Sequence, residues 1–154
     1  MSGDIVCGEA SRADLPEVLR LYGQLGDQES LPLPEAERLF ERIARYPDYK
    51  IYVARCEGRI VGSYALLIMD NLAHMGMPSA VIEDVAVDAA WQGQGVGRRM
   101  MAHALGLCAA KGCYKAMLSS NASRERAHRF YESLDFERHG YSFRIDAGQA
   151  GSRD

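Results

Sequence analysis

Residues 81–101 read VIEDVAVDAAWQGQGVGRRMM, and this stretch decides the fold. The apolar run that begins at Val81 predicts a buried strand. Gly93, Gly95 and Gly97 follow it and open a segment with helical periodicity. Glycines allow a ligand to approach the backbone closely and point successive N–H groups outward, while the helix start adds a partial positive charge. This strand–turn–helix unit therefore predicts an anion site suited to a phosphate or pyrophosphate.

The glycines alone do not identify the ligand. The GxGxxG pattern of dinucleotide-binding turns would need a glycine where Arg98 stands, and the Gly-Lys-Ser/Thr of a P-loop is absent. A tight turn that binds nothing is the alternative. Arg98 and Arg99 lie where they can add positive charge at the rim of a phosphate site.

The periodicity of the remaining chain places further strands and helices on both sides of this unit. Strands are predicted at Asp4–Glu9, Lys50–Cys56, Arg59–Met69, Ala80–Val87, Cys113–Ser119, Phe136–His139 and Tyr141–Ile145. Helices are predicted after Ser11, at Glu35–Arg45, at Gly95–Lys111 and from Ser123 to Leu134. The chain is therefore expected to be of the mixed α/β class, with a mostly antiparallel sheet of about seven strands and four helices. One parallel crossover should join the Val81 strand to the strand at Ala116.

Composition sets the class of protein. The chain has 154 residues and a net charge of −3, which suits one domain over residues 1–146 and disfavours nucleic-acid binding. Residues 147–154 are small and polar and are expected to form a flexible tail. Neither a signal peptide nor a membrane span is expected, and the four cysteines lack metal-ligand spacing. We therefore expect a cytoplasmic protein with free thiols and no metal site.

Two motifs resemble those of one known family. Residues 92–97, QGQGVG, match the pyrophosphate-binding pattern Gln/Arg-x-x-Gly-x-Gly/Ala of the GNAT superfamily of N-acetyltransferases, and they lie between a strand and a helix as in that family. Residues 127–136, AHRFYESLDF, resemble its A-x-x-F-Y-x-x-x-G-F segment. The opening at residues 5–14 is also similar, so the resemblance covers nearly the whole chain. It implies the GNAT fold and acetyl-CoA as co-substrate.

Two subfamilies share shorter pieces with this chain. Residues 82–87, IEDVAV, and 112–115, GCYK, resemble glucosamine-6-phosphate N-acetyltransferases. Residues 119–121, SSN, followed by RAHRFY at 126–131, resemble aminoalkylphosphonate N-acetyltransferases. Neither piece identifies the acceptor.

The resemblance assigns the cofactor site and the general acid. The implied acetyl-CoA contacts are Val85, Ala86, Val87, Gln92, Gly93, Gln94, Gly95, Val96, Gly97, Arg98, Asn121, Arg124 and Tyr131. Tyr131 matches the family's acid, which protonates the departing thiolate. Two positions depart from the family: Asp135 replaces its usual Gly, and Arg124 stands where many members have an Asn that contacts the pantetheine arm. Asn121 is the candidate for that contact.

An amine must lose a proton before it can attack, so a base is needed. Glu83 lies on the strand beside the predicted cofactor site and is the first candidate. Asp84 is the second, because in a regular strand it would point to the opposite face, although a bulge would change that assignment. A backbone N–H near Val85 can stabilise negative charge on the reacting oxygen.

The acceptor is expected to be a small-molecule primary amine. Asp27, Glu29, His74 and Glu83 are the candidate acceptor-binding residues, because the first three lie in loops beside the predicted pocket and acids suit a cationic acceptor. A protein acetyltransferase and a catalytically silent acyl-CoA sensor are the alternatives. A homodimer through the late strands is also expected, because Tyr141, Phe143 and Ile145 alternate on one face.

Overall fold

The computed structural model describes residues 3–26 and 29–150. These residues form two compact units, the first extending to Leu118 and the second beginning at Ser119. The single domain predicted over residues 1–146 stays a prediction. Within the described ranges, no helix has both the length and the apolar character needed to cross a membrane.

The first unit is built on a five-stranded sheet whose strands lie in sequence order. The strands are β1 (Ile5–Glu9), β2 (Tyr49–Cys56), β3 (Arg59–Met69), β4 (Ser79–Val87) and β5 (Lys115–Met117). Strands β1 to β4 pair antiparallel, whereas β5 pairs parallel to β4. The predicted mixed class and the predicted parallel crossover are therefore confirmed.

Four helices of eight residues or more lie in the described ranges. They are α1 (Leu15–Tyr22), α2 (Leu33–Ile43), α3 (Val96–Ala110) and α4 (Glu125–Ser133). Both α1 and α2 carry a proline in the first turn, where its missing N–H costs no helical hydrogen bond. A single helical turn, Ala147–Ala150, falls within the predicted tail.

The last two predicted strands are absent from the described part of the chain. Residues 136–139 and 141–145 form no ladder. Tyr141, Phe143 and Ile145 do alternate, but an alternating sequence becomes a strand only when a neighbour supplies its hydrogen bonds. Their side chains are 92%, 93% and 57% exposed. The sheet thus has five strands rather than about seven, and the homodimer stays a prediction that light scattering can decide.

Helices cover both faces of this sheet. On one face, Val18 and Leu21 of α1 pack with Val53, Ile60 and Ala86 of the sheet in one buried cluster. Burial of such apolar side chains supplies most of the stability of a domain this size.

The opposite face receives α3 at very close range. A Cβ atom at Gly62 would lie 2.8 Å from Val96 Cγ1 and 2.9 Å from Met100 Sδ. Only glycine therefore leaves room for α3 to pack directly on β3. This contact fixes the start of α3, and with it the turn that precedes the helix.

At one point of the β3–β4 ladder, two residues of β4 stand opposite a single residue of β3. Ala65 pairs with Glu83, yet Tyr64, its neighbour on β3, stands opposite both Asp84 and Val85. Asp84 has φ = 52°, a left-handed conformation that Asp tolerates better than most residues. This is a β-bulge, and it changes the direction of the side chains at this point of the strand.

Strand β5 accompanies β4 over only three residues. The parallel pairing runs from Ser79, opposite Lys115, to Val81, opposite Met117. Residues 82–87 of β4 continue without a strand neighbour on that side among the residues the structure describes. An open edge of backbone donors and acceptors thus leads to the glycine-rich turn.

Asp14 ties the start of α1 to β2, and its replacement by Asn is expected to destabilise the protein. Its carboxylate accepts hydrogen bonds from Arg55 Nη2 at 2.6 Å and from Ser11 N–H at 2.8 Å. Burial alone would raise the pKa of Asp14, but these bonds hold it below its ordinary value. Hydrogen bonds to a charged group contribute about 1.5–3 kcal/mol, so Asp14→Asn should lower the free energy of unfolding by about that amount.

The difference in unfolding free energy between wild type and Asp14→Asn should depend on pH. A lowered folded-state pKa stabilises the fold above the unfolded-state value near 4. The advantage of wild type over Asp14→Asn should therefore be complete at pH 6 and disappear as the pH falls through the lower folded-state pKa. Urea melts from pH 6 to pH 2.5 measure it, and a difference that does not change with pH would contradict the ionic role.

Candidate active site

The turn after β4 is held in place by Asp88. Its carboxylate accepts hydrogen bonds from the Ala90 N–H and from Arg20 Nη1, each at 3.0 Å. The Ala90 bond, followed by that from Arg20, holds the pKa of Asp88 below its ordinary range against the effect of burial. A short 3₁₀ turn at Ala89–Trp91 leads from Asp88 to the glycines. The glycine-rich segment thus begins from a fixed point.

Two glycines of this segment adopt left-handed conformations. Gly93 has φ = 79° and Gly95 has φ = 86°. A Cβ atom built at either position would meet nothing within 4 Å. The glycines are therefore needed for the path of the backbone and not to relieve crowding inside the protein. The space above the turn is open to a ligand.

The start of α3 offers N–H groups to that space. Gly95 is the N-cap, and the first helical hydrogen bond runs from the Arg99 N–H to the Gly95 carbonyl at 3.0 Å. The N–H groups of residues 96–98 have no acceptor within the helix and carry the positive end of its dipole. A pyrophosphate fits these donors. Since the Val96 side chain is buried, this residue can contribute only its N–H.

The polar side chains of the turn lie at the surface. Gln92, Gln94 and Arg98 are exposed. Arg99 differs, because its Nε donates to the Ile5 carbonyl at 3.1 Å and so ties α3 to β1. Of the two cations at this helix start, Arg98 is thus the one whose guanidinium is not tied to β1.

The predicted cofactor residues Val85, Ala86 and Val87 lie on the open edge of β4. In a strand, successive backbone groups point to alternate sides, so half of those in this segment face away from β3. They can pair with an extended amide-bearing chain, such as the pantetheine arm of acetyl-CoA. The open edge thus offers donors and acceptors to an extended chain, and the helix start offers donors to a phosphate group joined to it.

Both candidate bases face the α1–α2 side of the sheet. Glu83 is paired with Ala65, and so lies on its face of the sheet. Asp84 lines a cavity of about 340 Å³ on this same side. The strand is therefore not regular here, and the bulge, which was the stated alternative, brings Asp84 to the same face as Glu83. Neither carboxylate forms an ion pair within the described residues.

Two tyrosines accompany these carboxylates. Burial raises the pKa of Tyr22 to about 12, with a further contribution from the charge of Asp84. Burial likewise raises the pKa of Tyr49, and both Asp84 and Glu83 add to the effect. Both phenols line the cavity and remain protonated at neutral pH. Sequence reasoning missed them in the site, since Tyr22 fits the apolar stripe of α1 and Tyr49 is the first residue of a strand.

The other three residues predicted to bind the acceptor differ in where they lie. Glu29 lines the cavity. His74 is exposed in a loop and stacks on Tyr114, with ring centroids 4.1 Å apart and planes at 21°, and it is not among the residues that line the cavity. Asp27 lies outside the described residues.

The second unit presents Tyr131 on α4. Its ring packs edge-on against Phe130 and Phe136, with centroids 5.3 Å and 5.8 Å away. Burial raises the pKa of Tyr131, and the charge of Arg124 opposes that rise. The phenol therefore carries a proton at neutral pH, which any group that acts as an acid must do. Asp135 follows α4 with φ = 66°, so it adopts the left-handed conformation expected where the family has Gly.

Asn121 and Arg124 lie just before α4. The Asn121 side-chain oxygen accepts from the Ser123 N–H at 2.9 Å and from Ser123 Oγ at 2.7 Å. Its carbonyl accepts from the Arg124 N–H at 3.0 Å and stands 2.8 Å from His128 Nε2. The side-chain NH₂ of Asn121 remains as its donor, so any cofactor contact by this side chain would be a donated one.

Comparison with known proteins identifies the class. The model of the acetyltransferase (GNAT) family matches residues 16–136. A glucosamine 6-phosphate N-acetyltransferase of Trypanosoma brucei brucei is 33% identical over 135 residues, which cover 87% of this chain and 90% of the relative.

Solved structures agree with this class. A protein from Agrobacterium tumefaciens str. C58 superposes with a TM-score of 0.87 at 34% identity, covering 92% of this chain and 99% of its own. An acetyltransferase of Trypanosoma brucei superposes with a TM-score of 0.81 at 31% identity, over 93% and 99% respectively. The fold is that of the GNAT acetyltransferases, and this chain belongs to the GNAT family of N-acetyltransferases.

Proposed function

We propose that this protein transfers the acetyl group of acetyl-CoA to the primary amine of a small molecule by direct attack in a ternary complex. The bulge in β4 is the observation that carries the proposal. It turns Asp84 into a cavity of about 340 Å³, a size suited to a small molecule, on the same strand that leads to the glycine-rich turn.

Acetyl-CoA would supply an acetyl group activated as a thioester. The N–H groups of residues 96–98 would hold its pyrophosphate, and Gln92, Gln94 and Arg98 would add side-chain donors. The open edge of β4 at residues 85–87 would pair with the pantetheine arm. The family motif adds Asn121, Arg124 and Tyr131 to these contacts.

Three proton transfers accompany the reaction. The amine arrives as an ammonium, and one proton must pass to a carboxylate or a water it holds. The nitrogen then forms a bond to the carbonyl carbon while the carbon–sulfur bond breaks, and the electron pair leaves on sulfur. The nitrogen at this point carries two hydrogens and a positive charge, and it gives its second proton to water, which leaves the neutral amide. The family motif assigns Tyr131 to protonate that sulfur. The geometry of the bulge favours Asp84 over Glu83 as the base, because Asp84 lines the cavity.

Variants at the two carboxylates test this proposal. Asp84→Asn should lower kcat near pH 7 by about 10²–10⁴-fold, the usual contribution of general base catalysis, and part of the activity should return at high pH, where the amine is already neutral. Glu83→Gln is the matched control with the same loss of charge one residue away. A pH–rate profile for each variant, with a slowly reacting generic amine if needed, makes the measurement.

The outcome separates the candidates. If Glu83→Gln shows the large loss and the shifted profile while Asp84→Asn does not, the base is Glu83, the first choice from sequence. If neither profile shifts, neither carboxylate is the base. Asp84→Gly adds a stability control, since glycine removes the strain of the left-handed backbone and should fold at least as well.

A further inference from the structure

We propose that the acceptor is a cationic amine with an apolar body the size of one aromatic ring and no phosphate or other anionic group. The inference rests on the proposed function and concerns the cavity between α1, α2 and the sheet. It narrows the acceptor to a class that differs from the phosphorylated amino sugar in the name of the Trypanosoma relative.

The walls of this cavity are mainly apolar. Leu39, Phe40 and Ile43 of α2 face Val18 of α1, and Ile51 contributes from the sheet. Small-molecule sites of this kind bind by burying apolar ligand surface, with a few polar groups fixing orientation. A sugar ring, which carries a hydroxyl on most of its carbons, would leave these hydroxyls without partners on such walls. An alkyl or aryl group would not.

The charges in the wall are all negative. Glu29 and Asp84 line the cavity, and no Lys, Arg or His of the first unit does so among the residues the structure describes. An ammonium is attracted to such a site, and the phenols of Tyr22 and Tyr49 can support it through their oxygens and ring faces. A phosphate would bring about two negative charges toward two carboxylates with no cation to offset the loss of water.

The three arginines of the surrounding helices, Arg20, Arg38 and Arg42, do not line the cavity, and two of them are held by carboxylates. Arg20 of α1 binds Glu17 and Asp88. Arg38 of α2 pairs with Glu35 one turn earlier. The anions that hold them are part of the same two helices or of the turn after β4. These arginines are therefore not placed to hold a phosphate in this cavity.

Steady-state kinetics with matched amines test the inference. Tyramine and O-phosphotyramine share the amine and the ring and differ only by the phosphate, and glucosamine and glucosamine 6-phosphate form the second pair. With the full chain and saturating acetyl-CoA, we expect kcat/KM for tyramine to exceed that for O-phosphotyramine by at least about 100-fold. We also expect tyramine to exceed both sugars.

A charge reversal at the cavity gives a second readout. Glu29→Lys should reduce the ratio of tyramine to O-phosphotyramine by about tenfold or more, because it replaces a repelling charge with an attracting one. Glu41→Lys makes the same change of net charge on α2, at a residue that pairs with Arg12 and does not line the cavity. This control should leave the ratio unchanged.

Each outcome bears on one proposal or on both. If glucosamine 6-phosphate is acetylated with a higher kcat/KM than tyramine, the acceptor class is overturned while the acetyltransferase proposal stands. An equal ratio shift in Glu29→Lys and Glu41→Lys would also overturn it, since the effect would then come from net charge. If acetyl-CoA binds by calorimetry but no amine is acetylated, the small-molecule acetyltransferase proposal fails, and the acceptor class fails with it.

Discussion

Replacement of Gly95 by Asp is expected to weaken acetyl-CoA binding by at least about 100-fold, equivalent to about 2.7 kcal/mol. Gly95 is the N-cap of α3, with φ = 86° and open space where a side chain would project. A carboxylate placed there would occupy the same N–H groups that are proposed to hold the pyrophosphate, and would repel it. The introduced carboxylate thus competes with the pyrophosphate for the N–H groups at the start of α3.

The same substitution should strain the fold only modestly. Asp tolerates left-handed backbone better than most residues, and a negative charge is favourable at a helix N-terminus. Gly95→Asn is the matched control, because it has the same shape and the same backbone tolerance without the charge. Calorimetry with acetyl-CoA, alongside thermal melts of both variants, makes the comparison. If Gly95→Asp and Gly95→Asn bind acetyl-CoA with equal affinity, charge at this turn has no effect on binding, and the pyrophosphate does not bind there.

Removal of the Tyr131 hydroxyl is expected to lower kcat by about 10²–10⁴-fold while acetyl-CoA still binds. The ring packs against Phe130 and Phe136, so Tyr131→Phe preserves these contacts. Since burial raises the pKa of the hydroxyl, the proton is present at neutral pH and available to a leaving thiolate.

Tyr141→Phe provides the control for this variant. Tyr141 is 92% exposed in the same unit, so loss of its hydroxyl should leave kcat unchanged. Pre-steady-state kinetics should establish that chemistry limits the rate before the two are compared. A Tyr131→Phe enzyme with a wild-type rate of chemistry would rule out this residue as the acid.

The helices and strands of the first unit were predicted well from the spacing of their apolar residues. Each of these elements buries one face, and the apolar residues therefore recur at the period of a helix or a strand. The stretch at residues 81–101 predicted the strand, the turn and the helix that the structure has there. The late strands failed because the alternation of Tyr141 and Phe143 records which residues are apolar, and not whether a neighbouring strand exists to pair with them.

The candidate site was harder to predict than the fold. The bulge depends on the register in which β3 and β4 pair, and these two strands are separated in sequence by a loop. Sequence reasoning could place Asp84 on a strand but could not place its side chain. The sequence also did not predict that Tyr22 and Tyr49 line the cavity, because α1 and β2 come together only in the folded chain.

The bulge also bears on how selection acts on this strand. With Asp84 deleted, Glu83 would still pair with Ala65, and Val85 alone would stand opposite Tyr64. Every other side chain of β4 would keep its face of the sheet, and the strained backbone angle would disappear. The pairing of β4 with β3 therefore does not require this residue. Chemistry at the cavity would then be a reason for its persistence in a lineage. The length of this strand, as much as its composition, is therefore a feature to follow among descendants of a common ancestor.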